Sequence, residues 1–208
     1  MKKKYFYRFI KRTFDILCSL IGVILLLPLI IIVKLCYIFT GDFKSIFYSQ
    51  ERIGKNGKKI HLLKFRSMVP DADEKLKEIL KDPKYKKEWK KYRKLEKDPR
   101  ITKIGNILRK SSLDEFPQFI NILIGDMSLI GPRPLVKGEL DDNNGDHELY
   151  ESVRPGLTGW WACNGRSDIN YKERLELEYY YVKNCSIWLD IKCIFKTIGA
   201  VIKIAGAK

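Results

Sequence analysis

Apolar and polar positions along the chain change rhythm several times, and each rhythm predicts a different element. Residues 16 to 33, ILCSLIGVILLLPLIIIV, carry no charge. At about 1.5 Å per residue a helix of that length covers most of a hydrocarbon core roughly 30 Å thick, so the run predicts a membrane helix. Lys2, Lys3, Lys4, Arg8, Lys11 and Arg12 precede it, and no small-residue cleavage site follows, so it reads as an anchor and not as a removed signal. Lys34, Lys44, Arg52, Lys55, Lys58 and Lys59 lie after it, which puts both flanks on the cytoplasmic side by the positive-inside rule. Pro28 removes a backbone donor near the middle of the run. A helix-break-helix over residues 12–40 that enters and leaves by one face fits this pattern. A kinked single span with the N-terminus outside is the alternative, since spanning helices tolerate proline.

Beyond the anchor the period shortens. SIFYSQERIGKNGKKIHLLKFRSM predicts two strands, Ile46 to Gln50 and Lys59 to Phe65, around a turn at Asn56-Gly57. Asp71 to Lys97 is charged and helical in pattern, interrupted at Pro83, with Tyr85, Trp89 and Tyr92 set among lysines and arginines. Such a mixture suits either a solvated helix or one lying on an anionic lipid surface. Residues 101–110 and 112–124 predict two further helices, then comes a Gly/Pro loop, GDMSLIGPRP, and an acidic turn-rich patch, DDNNGDHE. Arg174 to Asn184 predicts a helix, and Ile187 to Ile204, opened by Trp188, a core or interfacial one. The expected fold is α+β and mostly helical: a re-entrant membrane segment, a small β-hairpin and interfacial amphipathic helices. No internal repeat is visible, and 208 residues suit one catalytic domain over 1–208.

Charge narrows the partners. Forty Lys and Arg against 25 acids give a formal net charge of +15, which favours polyanions such as anionic lipid, nucleotide phosphates or nucleic acid. No helix-turn-helix, zinc-finger or RNA-binding aromatic signature is present, so nucleic acid is not expected. Cysteines at 18, 36, 163, 185 and 193 have no CxxC spacing, and the histidines are His61 and His147 alone. A disulfide framework or zinc site is therefore not expected, and any metal should be a hard cation on carboxylate oxygens, which points to Mg2+.

SSLDEFPQ, residues 111 to 118, sets Asp114 beside Glu115 at the predicted start of a helix. Ser112 and Glu115 have the spacing of a capping box, and the helix dipole favours an acid in the first turn, so both acids have an ordinary structural explanation. Lys64-Phe65-Arg66, Arg109-Lys110, Pro132-Arg133-Pro134, Arg154-Pro155-Gly156 and Gly165-Arg166 set cations beside Pro, Gly or a strand end. Arginine forks held in this way make a phosphate receptor. A carboxylate inside such a receptor meets repulsion of roughly 4 kcal/mol from a phosphate charge about 4 Å away at an effective dielectric near 20. Arginines and a magnesium ion would offset it and let an aspartate attack phosphorus.

The quoted stretches, with KRTFDI before the anchor, DPRITKIGNILRKSSLDEFPQFINILIGDMSLIGPRP, RPGLTGWWACNGRSD and YYVKNCSIWLDIKCIFKT, resemble in content and order the bacterial sugar transferases, the monotopic phosphoglycosyl transferases. The resemblance runs nearly end to end. It implies an enzyme facing the cytoplasm on the bacterial inner membrane, held by a re-entrant helix and shaped as a minimal catalytic unit. The implied reaction moves a sugar-1-phosphate from a UDP-sugar to a polyprenyl phosphate, usually undecaprenyl phosphate, releasing UMP in capsule, exopolysaccharide or glycoprotein glycan synthesis. It implies Asp114 as nucleophile through a phosphosugar-aspartate intermediate, Glu115 as its partner, and Mg2+ at both. Lys64, Arg66, Arg109, Arg133, Arg154 and Arg166 match basic motif positions and are expected to contact phosphate or nucleotide. Two places depart from the family pattern: Trp160-Trp161-Ala162-Cys163 stands where Leu-Trp-Gln-Val is common, and Leu27 stands where some members place Ser before the proline. A phosphoanhydride hydrolase using the same carboxylates, and a non-catalytic membrane scaffold, are the rival functions.

Overall fold

The computed structural model describes residues 2–92, 95–164 and 169–206, with backbone alone at 2–4, 90–92 and 200–206. In chain order the elements are helix α1 (Lys2–Phe39), strands β1 (Phe47–Ile53) and β2 (Lys59–Phe65), helices α2 (Ala72–Ile79), α3 (Pro83–Tyr92), α4 (Lys103–Lys110) and α5 (Gln118–Ile124), strand β3 (Ser128–Ile130), helix α6 (His147–Tyr150), strand β4 (Gly156–Thr158) and helices α7 (Tyr171–Asn184) and α8 (Ile187–Gly206). The fold is therefore α+β and mostly helical. β1 and β2 form the expected hairpin, and Asn56 and Gly57 at its turn both take positive φ, the conformation Asn-Gly supplies cheaply. β3 and β4 pair in parallel, Ser128 with Gly156 and Ile130 with Thr158.

Helix α1 is long and apolar enough to cross a membrane, and Pro28 lies inside it without ending it. Its inner face buries polar side chains along with Leu26, Val33 and Tyr37, and its exposed face is apolar. Asp15 and Ser19 are buried, while Leu17, Leu20, Ile21, Ile24, Leu25, Leu27, Ile31 and Ile32 are exposed. Polar side chains turned inward and apolar ones outward are what a lipid surrounding selects.

The chain forms two compact units. One holds Met1–Leu25, Ser49–Leu63 and Gln118–Lys208. Within it Ile60 and Leu62 of β2 pack on Ile122 and Met127, with Phe119, Leu129 and Leu157 around them. Asn121 stitches α5 to the edge of β2, its Oδ1 accepting from Leu63 N at 2.9 Å and its Nδ2 donating to His61 O at 2.7 Å. A second cluster joins Ile130 to Tyr181, Val182, Leu189 and Cys193 of the two C-terminal helices. Helix α1 is tied in by Asp15, 2% exposed, whose Oδ1 accepts from Ser128 Oγ and Leu129 N at 3.0 and 2.9 Å. Arg12 adds bonds to the Ile122 and Leu123 carbonyls at 2.7 and 2.8 Å, covering the C-terminal end of α5. Gly22 permits the approach: a Cβ there would stand 2.4 Å from the Phe119 ring.

The other unit holds Leu26–Tyr48 and Lys64–Pro117. Its centre is Tyr37 at the end of α1, whose hydroxyl donates to the Arg66 carbonyl and whose ring lies 4.7 Å from the Arg66 guanidinium. Residues 71 to 97, expected as one interrupted helix, form α2 and then α3, which begins at Pro83, a position where the missing N–H costs nothing. Arg100, held by Asp98 at 2.7 Å, covers the Trp89 ring.

The expected helix over 112–124 is not continuous. Leu113–Glu115 is a short 3-10 turn, and α5 starts only at Gln118. Pro117 has no N–H for the Leu113 carbonyl four residues back, and here the helix breaks: the Phe116 amide takes that carbonyl instead, at 3.1 Å.

Candidate active site

The acids sit where α4 ends. Thr102 caps the start of α4, its Oγ1 accepting from Gly105 N, and Arg109 and Lys110 fill the last turn. Ser112 then adopts a left-handed backbone, φ 58°, which turns the chain and presents Asp114 and Glu115 on the 3-10 turn. Glycine or asparagine is the usual residue in that conformation; a serine stores about 1 kcal/mol of strain there. Ser112 makes no side-chain cap, so the capping box is not formed. Glu115 instead turns to Lys64, with Oε1 2.8 Å from Nζ.

Asp114 is the more sheltered acid. Burial pushes its carboxyl above the ordinary range; Lys64 pulls it back, Glu115 pushes it up again as a like charge, and Arg109 pulls it down. The four side chains thus act on one another electrostatically, and Asp114 is set apart from Glu115 by environment. Paired groups with different environments can take different roles, one as nucleophile and one as orienting or proton-handling group.

Arg109 is aimed by Ser67, whose Oγ accepts from Nε at 2.8 Å. Ser67 also gives its carbonyl to Thr102 N at 3.1 Å, and a Cβ on Gly105 would lie 1.9 Å from that oxygen. Ser67 and Gly105 were not singled out from sequence; the T-x-x-G start of α4 was the available signal. Arg66, expected to contact substrate, is buried, and its guanidinium is engaged within the protein: Nε to Ser45 O at 2.6 Å, Nη1 to Met68 O at 3.1 Å, Nη2 2.9 Å from Asp42 Oδ2.

Arg133 and Arg154 belong to the other unit. Arg133 Nη1 donates to Glu139 Oε1 at 2.8 Å, and Arg154 Nε to Gly125 O at 2.7 Å. Around Arg133 stand Glu139, Arg174 and Glu178, none of which the sequence marked, because charged residues in a turn (Glu139) or a charged helix (Arg174, Glu178) look like solvated surface. Arg166 lies outside the described residues.

No three His, Cys, Asp or Glu side chains converge as a metal cage among the described residues. Two adjacent carboxylates are, however, the donor set of a magnesium ion that completes its shell with water and phosphate oxygens, so the residues present fit that ion.

Comparison with known proteins supplies the family. The family model described as bacterial sugar transferase matches residues 6–204. The chain is 46% identical over 205 residues to the UDP-galactose-lipid carrier transferase of Erwinia amylovora, covering 98% of this chain and 43% of that protein. It is 47% identical over 201 residues to the undecaprenyl-phosphate galactose phosphotransferase of Salmonella typhimurium, covering 96% and 42%. Against the exopolysaccharide production protein ExoY of Sinorhizobium fredii it is 45% identical over 192 residues, covering 92% and 84%. The chain thus spans less than half the length of the first two of these relatives. A match that takes in the anchor, the Asp-Glu turn and both C-terminal helices assigns the whole described chain at once: it belongs to the bacterial sugar transferase family.

Proposed function

We propose that this protein transfers a sugar-1-phosphate from a UDP-sugar to undecaprenyl phosphate at the cytoplasmic face of the inner membrane and releases UMP. The observation that carries this reading is the half-buried Asp114 beside Glu115, within the fields of Lys64 and Arg109, in a chain of this family. Asp114 attacks the phosphorus that bears the sugar; the bond to the UMP oxygen breaks and a phosphosugar-aspartate forms. The polyprenyl phosphate oxygen then attacks the same phosphorus and expels the carboxylate. Lys64 favours the ionised form of Asp114 against burial and the like charge of Glu115, and Arg109 beside them serves the diphosphate charge; Arg133, Arg154 and Arg166 are proposed as further phosphate or nucleotide contacts. Magnesium held by Asp114 and Glu115 would neutralise phosphate oxygens in both displacements.

The exposed apolar face of α1 and its tethers support a re-entrant anchor. Arg12 and Asp15 bond to residues 122–129, and Tyr37 bonds to Arg66. Between Arg66 and Ile122 no described helix exceeds the 10 residues of α3, too short to cross a bilayer. The described chain between the two tethers thus offers no second spanning helix, which is what a re-entrant α1 requires. Its basic flanks and the exposed lysines of α2 and α3 suit anionic lipid.

Incubation of the purified enzyme with UDP-sugars, with and without undecaprenyl phosphate, tests the reaction. UDP-galactose is the first donor to try, given the names of two relatives. UMP should appear together with a lipid-linked sugar diphosphate. Free sugar phosphate formed equally well without lipid would make it a hydrolase, and full turnover by Asp114→Asn would remove the covalent route. A chelator should silence the reaction.

A further inference from the structure

Pro132 and Pro134 flank Arg133 and have no N–H, so the Arg133 amide is the tripeptide's single backbone donor. It goes to Glu178 Oε1 on α7 at 2.9 Å. The Arg133 carbonyl accepts from the Tyr150 hydroxyl at 3.0 Å, and the Pro132 carbonyl from Gly156 N at 2.8 Å. Glu178 is 0% exposed, and its Oε2 has no hydrogen-bond partner. Burying a carboxyl with half its hydrogen-bonding capacity unused is costly, so a merely filling residue would be served better by an apolar one.

We propose that Glu178 is the positioning residue of Arg133, its buried carboxyl fixing the Arg133 backbone so that the guanidinium, steadied by Glu139, faces a substrate phosphate. This rests on the reading of Arg133 as a contact for the UDP-sugar diphosphate. The side chain is steered as well as the backbone. Glu139 Oε1 lies 2.8 Å from both Arg133 Nη1 and Arg174 Nη2, and Arg174 is stacked 4.3 Å over the Tyr171 ring. Two guanidinium groups share one carboxylate, which leaves a net positive charge to meet an anion as long as Glu178 is neutral.

Burial pushes Glu178 up to about 8, which the Arg133 amide, the charges of Arg174 and Arg133 and the nearby Tyr150 hydroxyl only partly offset. The groups facing it are Arg133 from the loop, Tyr150 from α6 and Arg174 from its own helix, with Glu139 beyond the two arginines. Below pH about 8 the cluster is cationic; above it an ionised Glu178 cancels the surplus charge and anion affinity falls.

The test uses the full chain in detergent, reading UDP binding by calorimetry alongside KM and kcat for the UDP-sugar, from pH 6.5 to 9. Glu178→Leu should weaken UDP binding and raise KM about tenfold with a smaller change in kcat. In an Arg133→Ala background the same change should add nothing. Glu178→Gln, which keeps the acceptor and cannot ionise, should bind like the wild type at pH 7 and lose the alkaline rise in KM. Equal loss from Glu178→Leu with and without Arg133 would overturn the proposal. Should the leucine variant not fold, an alkaline limb retained in Glu178→Gln overturns it as well. Absence of UMP from every UDP-sugar would instead defeat the transferase reading, while UDP binding would still decide the role of Glu178.

Discussion

The ammonium of Lys64, on β2, lies 2.8 Å from the Glu115 carboxylate and also pulls on the ionisation of Asp114. One cation therefore serves both acids. It cancels the like-charge effect of Glu115, which would otherwise join burial in keeping Asp114 protonated and unable to attack.

Replacing Lys64 by Met should move the acid limb of the pH–rate profile to higher pH and lower kcat/KM at pH 7 by roughly tenfold or more. Stability should change little, because a partly exposed pair contributes about 1 kcal/mol or less. Rate profiles from pH 5.5 to 9 for the two proteins check this. An unmoved acid limb would show that Lys64 does not govern Asp114.

Asp114→Asn should separate activity from stability. The folded-state carboxyl is raised, mainly by burial, so its contribution to stability is present at low pH, before the unfolded chain ionises, and is lost as pH rises through the folded value. At pH 7.5 the ionised group is a cost that asparagine removes. The variant should release no UMP, yet melt at or above the wild-type temperature at pH 7.5, with the gap closing toward pH 4. A variant that melts lower at pH 7.5 would contradict the burial argument.

These sites differ in how far they were legible in the sequence. The long apolar N-terminal helix, the Asn56-Gly57 turn and the C-terminal helices follow from local pattern, and the structure has all of them. Asp114 and Glu115 stand out because two adjacent acids in a strongly basic chain need explaining. β3 and β4 did not stand out: each is three residues long, lies in a Gly/Pro segment that reads as loop, and gains its partner 28 residues away. Their approach depends on Gly131 and Gly156, where a Cβ would fall 2.5 Å from the Arg154 carbonyl and 2.1 Å from Gly131 N. Local pattern carries no such distance. Pro117 was visible, yet the sequence predicts a helix running through it over 112–124; the break depends on which carbonyl loses its donor.

Ser112 provides a test of strain at the acid turn. With φ at 58°, Ser112→Gly should relieve the left-handed backbone and raise stability by about 0.5–1 kcal/mol, since glycine takes this conformation without a Cβ penalty. Thermal melts read the gain. A loss of kcat with that gain would indicate that the rigidity of serine helps hold Asp114.

Gly105→Ala should do damage at a distance from the chemistry. The added methyl would stand 1.9 Å from the Ser67 carbonyl oxygen, a backbone atom that also accepts from Thr102 N. Neither side can yield cheaply, because that bond fixes the start of α4 and the Ser67 hydroxyl aims Arg109 near its end. Helix α4 must shift outward, at a cost of about 1–3 kcal/mol for overpacking, and Arg109 shifts with it. Displacements of this size between catalytic groups cost on the order of a hundredfold in rate. Alanine has the higher helix propensity, by about 1 kcal/mol, so a propensity-dominated site would be stabilised by the change. The expected result is the reverse: a lower melting temperature together with a strongly reduced rate of UMP release. A variant at least as stable and as active as the wild type would place α4 farther from Ser67 than the structure does.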